Sequence, residues 1–413
     1  MSTLALAGGS PAVSLKPYPW PIIGDQEVPW MEEAIRSGKW SWMGPHEIAF
    51  TEDFRQFIGA NHAMCVSNGT VSIQCALQAV GVEPRDEVLV PGLTWVATAQ
   101  AAMDIGANVV LVDIDPETFC IDAEAAERAI TPKTRAIIPV HLFGCMCDMD
   151  AIGALAQKHG LKVVEDVAHQ HGSQWRGVGA GAIGDAGSFS FQQSKVLTCG
   201  EGGAITCKEE EVYRTAFALK QVGWSPPPDM APANHYGHNY RITEMQCVLL
   251  RGGLTRLADQ TALRDTNAQR LAAGLEGLGG PLRAARRDPR VTRQAYYAMT
   301  LHFDPEQAQG LTREQYTQAL AAEGFPLGQT YDLVYSNPLL NLYDKTSPIP
   351  YRDNVPQKYN ELHLPACEQV KNETGLILSH THLLAEPEYI EQLLEAVEKV
   401  NGDLAGVKRG LEG

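Results

Sequence analysis

The sequence is organised around the stretch Ser188-Phe-Ser-Phe-Gln-Gln-Ser-Lys195-Val-Leu-Thr-Cys-Gly-Glu-Gly-Gly203. An apolar strand pattern leads into Lys195, and a glycine-rich turn separates the lysine from a second strand pattern at 204–207. An ammonium group is costly to bury, so most lysines lie at protein surfaces. A buried lysine loses its proton more easily, and its free amine is a nucleophile towards carbonyl groups. The stretch therefore indicates either a Schiff-base lysine or a lysine at a strand end that reaches back to solvent.

Composition narrows the class of protein. The chain has 413 residues, of which 44% are hydrophobic and 20% charged, as in an ordinary globular protein with room for two cores. Its net charge of −16 argues against nucleic acid or an anionic membrane as a partner, because both bind basic surfaces. One basic cluster stands out, which we interpret as a solvated loop rather than an anion site. Its members are Arg283, Arg286, Arg287, Arg290 and Arg293.

The cysteines and the lengths of the apolar runs indicate the cellular location of the protein. No Cys-x-x-Cys pair occurs among the nine cysteines, and Cys145 and Cys147 are too isolated to indicate a metal site. We interpret them as reduced thiols and expect a cytoplasmic enzyme. The first residues lack a basic region followed by an apolar core, so we expect no signal peptide. No apolar run approaches the length of a membrane span.

Strand and helix patterns alternate through the first half of the chain. About seven strands are expected up to residue 207, which predicts an α/β domain with a mostly parallel sheet that is buried on both faces. A long helical pattern from Thr243 to Leu278 leads into a smaller α+β domain. We place the N-terminal arm and the large domain at 1–255 and the small C-terminal domain at 256–413. In the small domain we expect a strand at 296–303, a helix after the capping box at Thr312, a loop-like stretch at 326–375 and a final helix at Pro387.

Four features follow strands at the sheet edge where open α/β sheets bind ligands. Ser67-Asn-Gly69-Thr70 begins a helix and is suited to a phosphate, although an ordinary N-cap has the same pattern. Trp95 could stack on a flat ring or belong to the core. Asp166 ends an apolar strand, where a carboxylate needs a cationic partner. Lys195 is the fourth feature.

Together these features fit pyridoxal phosphate. This cofactor needs a lysine for its aldehyde, a carboxylate for its ring nitrogen, a phosphate cup and a stacking face. Gly179-Ala-Gly-Ala-Ile-Gly184 has the spacing of a dinucleotide fingerprint. That motif requires a preceding strand and a following helix, and here a strand pattern follows instead. We therefore interpret 179–184 as a loop and disfavour a nicotinamide enzyme.

The sequence resembles the DegT/DnrJ/EryC1/StrS aminotransferases from about Pro19 to Val400. This resemblance implies the aspartate aminotransferase-like fold of the type I pyridoxal-phosphate enzymes and a homodimer with shared active sites. The segments that carry it are Glu165–Gly172, Ser188–Lys195, Gly200–Gly203 and Gly237–Arg241.

The resemblance also implies a role for each matching residue. Lys195 matches the Schiff-base lysine, Asp166 the carboxylate on the pyridine nitrogen and Trp95 the stacking aromatic. His169 stands where many members have glutamine beside the ring hydroxyl. A histidine also occurs there in the aminohydroxybenzoate synthase branch, and its protonation state becomes a variable. The implied phosphate ligands are Gly69, Thr70, Ser190 and, reaching across to the partner subunit, Asn239.

Within the family the sequence is most similar to the L-glutamine:scyllo-inosose aminotransferases of aminocyclitol antibiotic pathways. We therefore expect transfer of an amino group from L-glutamine or L-glutamate to a cyclic polyhydroxy ketone. Its hydroxyls would be read by Trp40–His46, His169 and Tyr331–Tyr335. The alternatives are a nucleotide-linked ketosugar aminotransferase, an aminohydroxybenzoate synthase-like enzyme and a non-catalytic sensor. A dehydratase is disfavoured, because relatives with that chemistry have histidine in place of Lys195. The similar segments are Thr118–Asp122, Ile137–Gly144, Phe191–Thr198, Arg293–Tyr297 and Leu383–Pro387.

Overall fold

A seven-stranded sheet forms the centre of the protein. The computed structural model describes residues 3–340 and 357–412. Its strands are β1 (His62–Val66), β2 (Glu87–Pro91), β3 (Asn108–Val112), β4 (Thr134–Ile137), β5 (Lys162–Asp166), β8 (Ala186–Ser190) and β9 (Gly203–Cys207). They lie in the order β1-β9-β8-β5-β4-β2-β3, and β9 is antiparallel to both of its neighbours while the other strands are mutually parallel. The prediction of a mostly parallel α/β sheet is confirmed.

Helices cover both faces of this sheet, and short polar residues begin several of them. The Asp122 carboxylate accepts a hydrogen bond from the Ala125 N–H, and Asp148 does the same for Ala151 at the next helix. The helices of this part are α1 (Glu27–Ser37), α2 (Pro45–Ile58), α3 (Gly69–Ala79), α4 (Ala97–Asp104), α5 (Ala123–Ala129), α6 (Met149–His159) and α7 (Glu210–Lys220).

A single 35-residue helix, α8 (Glu244–Leu278), joins two hydrophobic cores. Its N-terminus is a capping box of Thr243 and Gln246, and its first half packs on the large core while its second half packs on the small one. The smaller elements are β6 (Gln174–Trp175), β7 (Val178–Gly179), β10 (Leu282–Ala284), β11 (Val291–Arg293), β12 (Ala298–Phe303), α9 (Arg313–Ala322), α10 (Pro365–Gln369), β13 (Gly375–Ser379), α11 (His380–Leu383), α12 (Pro387–Asn401) and α13 (Leu404–Glu412).

The C-terminal part differs from the expected pattern in two places. Pro387 begins α12 but not the last helix, because α13 follows it. Within 326–375 the described residues form short helical turns, and Val334, Tyr359 and Cys367 pack into the large core. The division into 1–255 and 256–413 stays a prediction.

Two further findings concern membrane-spanning helices and the cysteines. Among the described residues, no helix combines the length and the apolar character needed to cross a membrane. All nine cysteines lie in the described part of the chain, where they are buried and free.

Candidate active site

A cavity of about 530 Å³ lies beyond the carboxyl ends of β1, β2, β5 and β8. The fold brings together seven of the eight predicted site residues here, from the two parts of the chain 69–95 and 166–195. They are Gly69, Thr70, Trp95, Asp166, His169, Ser190 and Lys195.

Lys195 is buried at this cavity, with only 9% of its surface exposed. Its backbone N–H closes a turn on the Gln192 carbonyl at 2.8 Å. Its Nζ lies 4.6 Å from the ring centroid of Tyr297. Burial lowers the pKa of Lys195 to about 8, although the attraction of Asp166 opposes this effect. A substantial share of the amine is therefore neutral in weakly basic solution, and the alternative of a solvent-reaching lysine is wrong.

Asp166 ends β5 and is also buried. One carboxylate oxygen accepts from the Thr98 hydroxyl at 2.8 Å, and the other accepts from the Ala168 N–H at 3.1 Å. Burial raises the pKa of Asp166 even though these bonds and the Lys195 charge favour its ionised form. In the described part of the chain no lysine or arginine forms an ion pair with it, so a cationic group bound opposite would stabilise the carboxylate.

The neighbouring Glu165 points to the other side of β5, as strand alternation requires. Its carboxylate is fully buried and accepts backbone N–H groups from Gly181, Ile183 and Gly184, and it lies 3.0 Å from Nε2 of His141. The glycine-rich stretch 179–184 therefore begins at the last residue of β7 and continues as a loop towards β8, with no helix opening from it. The dinucleotide interpretation is excluded by this geometry.

The N-terminus of α3 forms a cradle at the cavity. The Asn68 side chain caps the helix by accepting from the Val71 N–H at 3.0 Å. A Cβ on Gly69 would lie 2.7 Å from the Ser190 Cβ, so only glycine allows this approach. The cradle presents helix N–H groups together with the hydroxyls of Thr70 and Ser190. Such a helix start attracts anions, phosphate in particular.

Aromatic rings line the opposite wall. Nδ1 of His169 accepts from the Phe143 N–H at 3.1 Å, so its proton lies on Nε2, which donates to the Tyr331 hydroxyl at 3.2 Å. Burial and the nearby Lys195 hold the pKa of His169 well below its usual range, and the imidazole is neutral. The ring of His169 stacks on Tyr297 with 4.0 Å between centroids.

Several residues at the cavity were missed by sequence reasoning. Thr98, which orients Asp166, stands one helical turn after Thr94, and this spacing is a weak signal for a shared face. Tyr297 follows β11 in an irregular segment, and no periodicity marks it.

The predicted Trp95 lies at the mouth of the cavity, with 58% of its surface exposed and 5.5 Å between its ring and that of Tyr331.

Two predicted segments do not line the cavity of their own chain. Asn239 is exposed on a loop, where its side chain accepts from the Arg241 N–H at 3.4 Å. The Trp40–His46 loop packs on the start of α8, through the bond from the Glu244 N–H to the Trp40 carbonyl.

The arginine cluster also lies outside the cavity, and its charges are largely paired with carboxylates. Arg283 binds both carboxylate oxygens of Glu117, and Arg287 pairs with Asp265. Arg290 contacts three carboxylates, those of Asp148, Asp150 and Asp288. The interpretation as a solvated loop is wrong in part, because Arg283 lies in β10 and Arg293 in β11. The paired charges argue against an anion site.

Known proteins with similar sequences and folds assign the chain to a family. Residues 21–375 match the DegT/DnrJ/EryC1/StrS aminotransferase family. A Streptoalloteichus tenebrarius protein named as an L-glutamine:3-amino-2,3-dideoxy-scyllo-inosose aminotransferase is 39% identical, over 98% of this chain and 100% of its own length. The L-glutamine:scyllo-inosose aminotransferase of Streptomyces griseus is 36% identical, over 99% and 100%.

Solved structures agree with this assignment. The crystal structure of 3-amino-5-hydroxybenzoic acid synthase superposes with a TM-score of 0.81 at 31% identity, covering 95% of this chain and 99% of that one. With 95% of this chain covered, the match extends over both cores. The chain therefore belongs to the DegT/DnrJ/EryC1/StrS family and is an aminotransferase.

Proposed function

We propose that this chain binds pyridoxal phosphate and transfers the amino group of L-glutamine to a cyclic polyhydroxy ketone of the scyllo-inosose type. The observation that carries the proposal is one cavity shared by the buried Lys195 amine, the Asp166 carboxyl and the helix start at Gly69. The names of the two relatives supply the donor and the type of acceptor.

The chemistry of the site fits this cofactor. The cradle at Gly69, which a Cβ would fill, would receive the phosphate with the Thr70 and Ser190 hydroxyls. Asp166 would hold the proton of the ring nitrogen, and this pairing would relieve the cost of burying its carboxylate. Lys195 would hold the aldehyde carbon.

Pyridoxal phosphate, when bound, supplies an aldehyde that carries the amino group and a ring that withdraws electrons from the neighbouring carbon. The Lys195 amine, whose pKa is about 8, would be the group that takes up and returns a proton at the donor's carbon. Thr98 and Ala168 fix the orientation of the Asp166 carboxylate. Trp95 would cover one face of the ring, and neutral His169 would donate or share its hydrogen bond near the ring hydroxyl.

The lining of the cavity supports an uncharged acceptor. Among the described residues that line it, Lys195 is the one lysine or arginine. A nucleotide-linked sugar would require cations for its diphosphate, and the arginine cluster is paired and lies outside. A polyol instead requires many hydrogen-bond partners, because a missing hydroxyl leaves polar groups of the site unpaired. Such partners in the lining are Gln192, Ser194, Glu201, Tyr297 and Tyr331.

We also propose a homodimer in which Asn239 reaches the phosphate of the partner subunit. Its loop is exposed, and large apolar side chains near it and near the first helices are exposed as well, as at protein interfaces. They are Trp40, Trp42, Trp224 and Tyr236. A cytoplasmic location is part of the proposal and is supported by the free thiols.

A matrix of donors and acceptors tests the substrates. L-glutamine, L-glutamate and L-alanine would each be combined with scyllo-inosose, its 2-deoxy form and a nucleotide-linked ketosugar at equal concentration. We expect the highest kcat/KM for glutamine with a free cyclitol ketone. Lys195→Ala is the inactive control.

The outcomes separate the alternatives. Turnover of the nucleotide-linked sugar without turnover of free cyclitols would refute the acceptor but leave the aminotransferase assignment intact. Absence of half-transamination with every single amino acid, in protein loaded with cofactor, would favour a non-catalytic sensor.

A further inference from the structure

Three polar atoms near the Lys195 loop (Ser190–Lys195) are buried without a hydrogen-bond partner in the described part of the chain. They are Nδ1 of His171, Nδ1 of His380 and Nη1 of Arg264. Hydrogen bonds connect all three residues to one short segment. Arg264 Nε donates to the Ala295 carbonyl, the Ala295 N–H donates to Ser173 just after His171, and the His380 N–H donates to the Tyr297 carbonyl. A buried polar atom without a partner is unfavourable, and three of them in one region require an explanation.

The other polar atoms of these residues hold the backbone around the catalytic lysine. His171 and His380 each bind a carbonyl of the Lys195 loop, and Arg264 binds the irregular segment between β11 and Tyr297. The pairs are His171 Nε2 with the Ser190 carbonyl at 2.9 Å, His380 Nε2 with the Ser194 carbonyl at 3.2 Å and Arg264 Nε with the Ala295 carbonyl at 2.8 Å.

These carbonyls determine the tautomers of the histidines. A carbonyl oxygen only accepts, so Nε2 carries the proton in His171 and His380, and Nδ1 presents a lone pair. Burial lowers the pKa of both imidazoles to about 3, so both are neutral at pH 7. Arg264 is fully buried and forms no ion pair among residues 3–340 and 357–412. The unpaired atoms are therefore two acceptors and one cationic donor.

We propose that Arg264, His171 and His380 enclose a buried water site beside the Lys195 loop. One water has two O–H donors for the two imidazole nitrogens and a lone pair for the guanidinium, so it satisfies all three atoms together. A small anion only accepts hydrogen bonds, so it would suit Arg264 but face two lone pairs. The chemistry of the site therefore selects water over a halide.

The bridging water gives Arg264 a positioning role. It connects three tethers, from the segment after β5, from α8 and from α11, into one network. The network restrains the carbonyls of Ser190 and Ser194 on both sides of the turn that carries Lys195. The site is independent of the substrates proposed above.

A high-resolution crystal structure of the full-length holoenzyme tests the water directly, with a parallel bromide soak. We expect an ordered water within about 3.2 Å of the three unpaired atoms and no anomalous bromide peak there. An empty site, a bromide in place of the water, or unpaired atoms that face different spaces would each overturn the proposal.

Hydrogen exchange of the holoenzyme tests the positioning role. Arg264→Met should accelerate exchange in the segment 190–199 by about tenfold, because the network loses its donor and one tether. Arg313→Met is the matched control, since Arg313 is also buried and donates to the carbonyls of Lys371 and Gly375, away from the Lys195 loop. It should leave 190–199 unchanged.

Equal acceleration in both variants, or none in Arg264→Met, contradicts the positioning role. If Arg264→Met does not fold, His380→Phe provides the same comparison from the other side of the site. It keeps a ring of similar size and removes both nitrogen atoms, and it should also accelerate exchange in 190–199. Unchanged exchange there would refute the network.

Discussion

Replacing Lys195, the buried lysine of the cavity, should stabilise the protein in the absence of pyridoxal phosphate. Burial lowers the pKa of Lys195 from 10.5 to about 8, so the ammonium is disfavoured in the folded chain. One pKa unit corresponds to about 1.36 kcal/mol, and this lowering therefore corresponds to roughly 3 kcal/mol at pH 7. Lys195→Met removes the charge and keeps the length of the side chain. It should raise the free energy of unfolding by up to about 3 kcal/mol, because the pKa of about 8 already includes the attraction of Asp166.

The stabilisation by Lys195→Met should decrease as the pH rises above about 8. Because the pKa of Lys195 is about 8 in the folded chain and 10.5 when exposed, the unfolded chain binds more protons between these pH values. The stability of the wild type therefore rises with pH across this window. The advantage of Lys195→Met should be full below about pH 8 and should shrink towards pH 10.

Replacing Lys220 is a matched control, for which the expected change in the free energy of unfolding has the opposite sign. It is also buried, but its Nζ lies 3.3 Å from the Glu47 carboxylate and 2.9 Å from the Cys65 carbonyl. Lys220→Met leaves Glu47 buried without its cation, which should lower the free energy of unfolding by about 3–5 kcal/mol.

Urea unfolding of the cofactor-free full-length variants measures both effects. All proteins should be compared at one concentration, because the proposed subunit association would make stability depend on concentration. Similar losses of stability in Lys195→Met and Lys220→Met would refute the reasoning. A gain in Lys195→Met that grows from pH 7 to pH 10 would contradict the proposed origin of the effect.

Three further predictions concern the site. Borohydride should fix the cofactor on Lys195, and peptide mapping that finds the label on another residue would contradict the assignment. Asp166→Ala should abolish turnover and leave the unfolding midpoint nearly unchanged, whereas Glu165→Ala should lower the midpoint, because it leaves two buried backbone N–H groups and a partly buried one unpaired. Normal turnover in Asp166→Ala would show that another group holds the ring nitrogen. Mixed dimers of Lys195→Ala and Asn239→Ala should regain activity, provided that Asn239→Ala alone is impaired; no recovery despite demonstrated subunit exchange would exclude a shared site.

The sheet and much of the site could be predicted because their signals are local. Apolar runs bounded by caps such as Asp122 and Asp148 define the strands and helices one at a time. Residues that follow parallel strands meet at one sheet edge, and this rule places Asp166 and Gly69 in one cavity without any knowledge of distances.

Contacts between segments that are far apart in the sequence give no local pattern that could predict them. Tyr297 stacks on His169 across 128 positions, and no spacing in the sequence marks this pair. Likewise, the return of Val334 and Tyr359 to the large core depends on long-range packing, which local patterns do not encode. The extra helix α13 was missed although Leu404, Val407 and Leu411 recur at helical spacing, because glycines interrupt this stretch and disfavour a helix.

Strand β5 shows why the local rules fail at the site. Two adjacent carboxylates stand at its end, and both are buried. Glu165 has four hydrogen-bond partners and holds a loop, so its burial is compensated. Asp166 has two, lacks a cation in the described part of the chain, and its pKa is raised. The protein therefore stores unfavourable free energy on the side of the strand that faces the cavity, together with the buried Lys195. A ligand that supplies a cation to Asp166 and a carbonyl carbon to Lys195 relieves both, so cofactor binding and stability should be coupled.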